Sequence, residues 1–412
     1  MSATSAFPLR IAPAWVMLAA LCSAFALSQS FRTMAAILAP PLQAEFGLSA
    51  QQLGLFAGAF HFAFGALQFF MGMGIDVYGL RRTVLFAFPC AIAGALLSAF
   101  SHDFGLLLAG QVLIGIGCAP AFLVCTVFIA RHFPAERFAA VSGLVLGLGS
   151  VGMLLTGTPL AWLVQASSWR AGFIALALCS VAAWLLMAWK VYEPARPGFA
   201  AAHHQQPLSM GQALLSYGAL FRLPHTLGIL LLASVTYASF ISLRGLWLGP
   251  LLVERHGFSL VQSGNIALLV SVVGMFGPPL AGRLDPGPAT RRRRITACTV
   301  AVAAGFFLMA FVPSAGVDVA VMLITGLLSG YIVLQYADTR GAYPPEMTGR
   351  AMALFTMAMF LGVAFMQWFT GAVASLAAAH GGDPFMAVLA TIGLLLALGA
   401  AGFAWLPKPP AP

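Results

Sequence analysis

The amino-acid sequence predicts an all-α integral membrane protein of twelve transmembrane helices in two pseudo-symmetric six-helix bundles. Three observations lead there. Hydrophobic residues make up 61% of the 412 and charged residues only 8%, for a mean hydropathy of +0.94, which is more apolar surface than a fold in water can hide. Apolar stretches of about 20 residues, the length that crosses a hydrocarbon core of roughly 30 Å, recur along the chain. Basic residues, finally, gather in alternate gaps between these stretches, as they do when one side of a membrane retains them.

In order, the first stretch, 14–40, follows Arg10; it is too long for a removable leader and lacks a clear cleavage site, so it is the first helix. Stretches near 52–72, 83–101, 105–130, 138–164 and 170–190 complete a first domain over residues 1–190. Over 191–221 the hydrophobicity is interrupted by Pro194, Pro197, His203, His204, Gln205, Gln206 and Pro207. This is read as a linker, and its two histidines as solvated loop, since no further ligands accompany them. A second domain, 222–412, carries stretches near 226–252, 262–283, 295–313, 317–338, 350–376 and 385–405. The 43 glycines and 25 prolines suit membrane helices, whose neighbours re-satisfy interrupted backbone and which use small residues for close contact. Cys22, Cys90, Cys118, Cys125, Cys179 and Cys298 lie inside spans and form no Cys-x-x-Cys pair; they are expected to be free thiols packed like small apolar residues.

The net charge of +9 is placed for a membrane and not for nucleic acid. With twelve spans, Arg10, Arg81, Arg82, Arg131, Arg137, Lys190, Arg196, Arg222, Arg283, Arg291 to Arg294, Arg340, Arg350 and Lys408 fall on one side, and Arg170 and Arg255 on the other. This asymmetry makes the basic side, both termini and the linker cytoplasmic, in a bacterial-type inner membrane. The run Arg291 to Arg294 is then an orientation anchor.

The two halves repeat one another. Phe133-Pro134-Ala135-Glu136 and Tyr343-Pro344-Pro345-Glu346 are offset by 346 − 136 = 210 residues. The same offset relates Gly47 and Ser49 to Gly257 and Ser259, and Gly72 to Gly282. A duplicated six-helix unit holds its substrate near the midplane, between the halves.

After the second helix, Gly72-Met-Gly-Ile-Asp76-Val-Tyr-Gly79-Leu-Arg81-Arg82 resembles the signature loop of the major facilitator superfamily in every fixed position. Gly282-Arg-Leu-Asp285, followed by Arg291 to Arg294, is a degraded copy, and Trp169-Arg170-Ala-Gly-Phe173 is similarly typical. The resemblance covers essentially the whole chain and implies a secondary transporter. Gly72, Asp76, Gly79, Arg81, Arg82, Arg137 and Asp285 would then form the cytoplasmic gate: glycines allow a tight turn, and a carboxylate can meet a helix N-terminus or an arginine and latch the halves.

Intramembrane ionisable residues point to the cargo. Arg32 and Arg244 each stand in an otherwise apolar span. Counted back from Pro40, Arg32 lies about 12 Å below the outer boundary, near the midplane, and Arg244 lies at a similar depth from Leu252. Each costs about 2.5–3.5 kcal/mol on insertion scales, so an anion should offset them. Two guanidinium forks from opposite halves can clamp one carboxylate, phosphate or nitrate. The pair is similar to that of the organophosphate antiporters and of the organic-anion:cation symporters. Gln111 stands where many members of the family keep an arginine, and Phe31 where some sugar-acid symporters have an acid, so their proton-coupling scheme does not carry over.

Gln29 and Tyr237 share helix faces with the two arginines, His61 and Gln68 share a face of the second helix, and Tyr331, Gln335 and Asp338 share a face of the tenth; Trp247 follows Arg244. These residues are the candidate substrate site, with His61 and Asp338 as candidates for coupling because an imidazole titrates near neutral pH. Arg292 is expected to lie far from the cavity. Met352, Met357, Met359 and Met366 are bundle packing and not a copper path. No nucleotide-binding loop or metalloprotease motif is present, so neither an enzyme activity nor a cofactor or metal is expected. The sequence thus predicts a monomeric secondary active transporter of a small anion, with a co-transported proton or counter-anion and the lipid bilayer as partners. The alternative is a proton-coupled exporter of drugs or other lipophilic compounds.

Overall fold

The computed structural model describes residues 11–192, 217–407 and 409. Outside these lie Arg10, Arg196, His203, His204 and Lys408, and the side chains of Asp76, Glu136 and Glu346 are likewise outside what is described. Among the described residues, eleven helices are long and apolar enough to cross a membrane. The helix Ala50–Tyr78, 29 residues long, makes the twelfth.

In the first bundle, α1 runs Ile11–Thr33 and resumes after Met34 as Ala35–Phe46. It is followed by α2 (Ala50–Tyr78), α3 (Leu80–Ala99), α4 (Phe104–Cys118, then Ala121–His132), α5 (Ala135–Leu155, then Thr158–Ala166) and α6 (Trp169–Lys190). In the second bundle, α7 begins as Thr226–Ser242 and continues through π turns at Leu243–Trp247 and Leu251–Arg255. Then come α8 (Leu260–Arg283), α9 (Pro288–Phe311), α10 (Ala315–Leu328, a 3-10 turn, Ile332–Gly341), α11 (Pro345–Ala379) and α12 (Pro384–Trp405). The first helix of every triplet, α1, α4, α7 and α10, is thus irregular near its middle. Interrupted backbone at that depth is tolerated only where it lines a cavity or is buried in protein.

The repeat seen in the sequence is physical. Gly47 and Gly257 take φ of +61° and +68°, a region open to glycine. Ser49 and Ser259 then start α2 and α8 with capping boxes closed by Gln52 and Gln262, which satisfy the first free amides of each helix.

Three boundaries differ from the sequence reading. Residues 72–78 are the last turns of α2 and not a loop; only Gly79, at φ +85°, turns the chain. The arginines 291–294 lie in the first turns of α9, which starts at Pro288. The first span runs on through Pro40 and Pro41 to Phe46, placing Arg32 about 21 Å from that end at 1.5 Å per residue. Pro40 has no amide to give the Ala36 carbonyl, and Gly249 of α7 packs against that carbonyl instead.

Packing between the bundles is uneven. The helix ends carrying Arg81, Arg82, Arg137 and Arg291 to Arg294 define a basic face; the opposite face carries Glu45, Arg170 and Arg255. Toward this far face the bundles touch closely: a Cβ on Gly54 of α2 would run into the Gln367 carbonyl of α11, and one on Gly157 of α5 would stand 2.8 Å from the Leu268 side chain of α8. Toward the basic face, a Cβ on Gly72, Gly143, Gly147 or Gly349 would meet nothing within 4 Å. The basic-face segments Ala121–His132 and Ile332–Gly341 pack extensively only within their own bundles. The structure is therefore closed at the far face and open toward the basic one. Its perimeter is studded with exposed Phe86, Trp162, Leu178, Trp189 and Trp405, a surface suited to lipid.

Candidate functional site

Arg32 projects from α1 one residue before the Thr33–Met34 interruption and is 95% buried, with 5% of its surface exposed. Phe64 of α2 and Phe360 of α11 lie against the guanidinium, with ring centroids 4.9 and 4.7 Å from its central carbon. Such contacts favour the cation without using its N–H groups. Nη1 donates to the Tyr237 hydroxyl of α7 at 2.8 Å, a bond between the bundles. Nε is buried and unpartnered. The Nε and Nη2 edge, the side-on fork that receives two carboxylate oxygens, thus carries no protein acceptor among the described residues.

Arg244 is held differently. It sits in the first π turn of α7 with none of its surface exposed. Nε donates to the Ser271 hydroxyl of α8 at 3.0 Å and Nη2 to the Met153 carbonyl of α5 at 2.9 Å, leaving Nη1 unpartnered. Its side-on fork is therefore occupied in this conformation. The π turn follows from Pro250, which cannot donate to the Leu246 carbonyl, and π turns recur at functional sites.

The structure brings together some of the residues singled out by sequence and separates others. Tyr237 meets Arg32, and its ring stands edge-on to Phe360. His61, 1% exposed, is one turn from Phe64 on α2; its Nδ1 bonds the Ala57 carbonyl, its Nε2 is unpartnered, and Arg32 and Gln367 are among its electrostatic neighbours. Gln29, one turn toward the basic face, has an unpartnered Oε1. The remainder serve their own bundles. Gln68 donates to the Phe64 and Ala119 carbonyls, Trp247 to Thr370, and Tyr331 accepts from Thr299. Gln335 accepts from Thr236 through Oε1 and keeps an unpartnered Nε2.

Asp338 lies 3.7 Å from the Arg292 guanidinium, which also stacks over Phe403 at 4.0 Å. Arg292 is therefore not remote: it faces the polar row of α10, because α9 begins earlier than its hydropathy suggests. The residues expected at the gate divide between the bundles. Arg81 donates to the Ala188 and Val191 carbonyls at the end of α6, Arg82 and Arg137 are exposed, and Asp285 receives both Nε and Nη2 of Arg291. These bonds of Arg81 and of Asp285 each lie within one bundle. The hydrogen bond from the Arg291 guanidinium outweighs the effect of burial and holds the Asp285 carboxyl below the usual carboxylate range.

Sequence reasoning missed Phe64, Phe360 and Gln367, whose two amide atoms are both buried and unpartnered. Only the helical spacing of Phe64 from His61 pointed to any of them. Among the described residues, no group of three His, Cys, Asp or Glu side chains gathers to hold a metal, and neither Arg32 nor Arg244 is ion-paired.

Arg32 is thus a buried arginine flanked by aromatic rings between two six-helix bundles, with no ion-pair partner among the described residues. The family model described as Major Facilitator Superfamily matches residues 20–367, and the chain belongs to that superfamily. It is a multi-pass membrane transporter and not an enzyme. It is 24% identical over 285 residues to a probable sulfoacetate transporter of Cupriavidus necator, covering 67% of this chain and 66% of that protein, so the chain spans just under two thirds of that relative's length. It is 24% identical over 372 residues to the gallate transporter of Pseudomonas putida, covering 82% and 81%. The crystal structure of a nucleoside transporter matches with a TM-score of 0.75 at 13% identity, covering 95% of this chain and 98% of that one, which shows the shared fold.

Proposed function

We propose that this transporter is a secondary active carrier of a small carboxylate or similar anion, moved by alternating access with Arg32 as its anchor. One observation carries this: a guanidinium 95% buried among Phe64, Phe360 and Tyr237, with its side-on fork unfilled. A cation at that depth is retained at a cost unless a ligand offsets it, and a planar fork matches a planar carboxylate. Sulfoacetate and gallate, named for the two relatives, both carry a carboxylate. Arg32, Tyr237, Gln29 and His61 form the site in this reading, with Trp247, Tyr331, Gln335 and Gln68 as its framework and the residues around Gly79 as the gate. His61 and Asp338 are the candidates for proton coupling. The basic face is cytoplasmic by its retained charge, and the cavity then opens inward.

A thermal-shift screen of the purified protein against mono- and dicarboxylates, sulfonates, phosphate esters, nitrate and cationic drugs tests the reading, because a ligand of the native state raises Tm by mass action. Carboxylates are expected to raise Tm and to exchange in proteoliposomes. A rise confined to cationic drugs would replace the anion by a lipophile as cargo.

A further inference from the structure

The far-face seal contains a feature that anion binding does not use. Helix α5 stops at Leu155 and restarts at Thr158, and the break leaves carbonyls without helical partners. The Gly157 amide, which would have paired with the Met153 carbonyl in an unbroken helix, turns to the Leu154 carbonyl instead. The Met153 carbonyl accepts from the Thr156 hydroxyl at 3.1 Å and from Arg244 Nη2, across the interface, at 2.9 Å. A helix C-terminus carries partial negative charge, so a guanidinium is a suitable cap, and this one is supplied by the opposite bundle.

The same spot fastens α1. Thr33, next to Arg32, shares a 2.7 Å hydrogen bond with Thr156, and Ser30 donates to the Gly152 carbonyl at 2.9 Å. On the other side, the Ser271 hydroxyl that accepts from Arg244 donates on to the Ala267 carbonyl at 2.8 Å. A continuous run of hydrogen bonds therefore passes from Thr33 through Thr156, the Met153 carbonyl and Arg244 to α8. Gly245, the next residue of the π turn, lies so close to α1 that a Cβ there would stand 3.0 Å from the Arg32 carbonyl.

We infer that Arg244 is the latch of the far-face gate: it caps the broken end of α5 from the other bundle, and this bond parts when that face opens. The two bundles cannot separate there while Nη2 holds Met153. Nη1, fully buried and unpartnered, is a donor that only the opened, hydrated state can satisfy. The closed state is thereby kept from being too stable, which an alternating cycle needs. The latch stands independently of which solute Arg32 binds.

The test needs no substrate. Ala161 of α5 has none of its surface exposed and lies against Gly264 of α8 within the seal. Ala161→Cys, in a chain whose native cysteines are serine, reports opening through the rate of labelling by a membrane-impermeant maleimide applied from the far face. Arg244→Gln should raise that rate about tenfold, the factor that loss of one charge-assisted hydrogen bond gives. Ser271→Ala, which removes one of the two groups that hold the arginine, should raise it by a smaller factor. Wild-type labelling in a monodisperse Arg244→Gln protein would overturn the inference. Should Arg244→Gln fail to fold, wild-type labelling in Ser271→Ala would overturn it equally.

Discussion

Arg32 and Arg244 stand on corresponding helices of the two bundles, close to the same local interruption of the backbone, yet they end in opposite situations. Arg32 keeps one protein acceptor, a hydroxyl, and is otherwise flanked by rings. Arg244 is bonded at both Nε and Nη2 to groups fixed on α8 and α5. A buried guanidinium whose fork is taken serves the conformation; one whose fork is open is free for a ligand. The far-face ion pairs make a similar point about the repeat. Glu45, at the end of α1, meets Arg170 of α6 at 2.7 Å, while Arg255, at the end of α7, meets Asp383 before α12 at 3.3 Å. The offset 255 − 45 = 210 marks corresponding positions with the charges exchanged, so the fold retained the bond and not the residue.

The sharpest way to break the contrast is Arg32→Lys. The charge stays but the fork is lost, so anion affinity should fall about 10- to 100-fold by isothermal titration with the carboxylate found in the screen. Equal affinity would make Arg32 structural too. Tyr237→Phe removes the hydroxyl that orients Nη1 but leaves the rings, and affinity should drop about 2- to 10-fold, the net value of one hydrogen bond. A loss as large as that from Arg32→Lys would mean that the tyrosine itself touches the ligand.

His61→Gln tests whether the unpartnered imidazole nitrogen carries the coupled proton. The pH dependence of uptake into proteoliposomes should flatten relative to the wild type, and affinity should fall as well, since His61 is part of the proposed site. An unchanged profile would pass coupling to Asp338 or to anion exchange.

The smallest effect belongs to the basic-face loop. The Asp285 carboxyl is depressed in the folded protein by its hydrogen bond from Arg291, so its contribution to stability is present above the unfolded carboxylate value and is lost as pH falls through the lower, folded one. Asp285→Asn should lower Tm by about 1–2 °C at neutral pH, and the gap should close in acid below about pH 4. A gap that persisted in acid would mean that the asparagine disturbs the turn itself.

Twelve spans, their order and the basic face were legible in the sequence because lipid fixes them locally: a span needs a sufficient apolar length, and charge is retained in the loops whatever the spans later pack against. Gly47 and Gly257 were legible only as corresponding positions of the repeat; their positive φ and the capping boxes that follow them came from the structure. Arg32 and Arg244 stood out because a charge in an apolar span is visible without neighbours. Their roles were not visible. Whether a fork is open depends on the Met153 carbonyl, which is freed by a break in α5, and on Ser271, and both lie on other helices. Phe64 and Phe360 read as ordinary membrane residues until α2 and α11, from different bundles, close on α1. Hydropathy registers how deep a residue lies but not which helix faces it, so tertiary packing alone decided that one arginine has its fork filled by protein groups and the other does not.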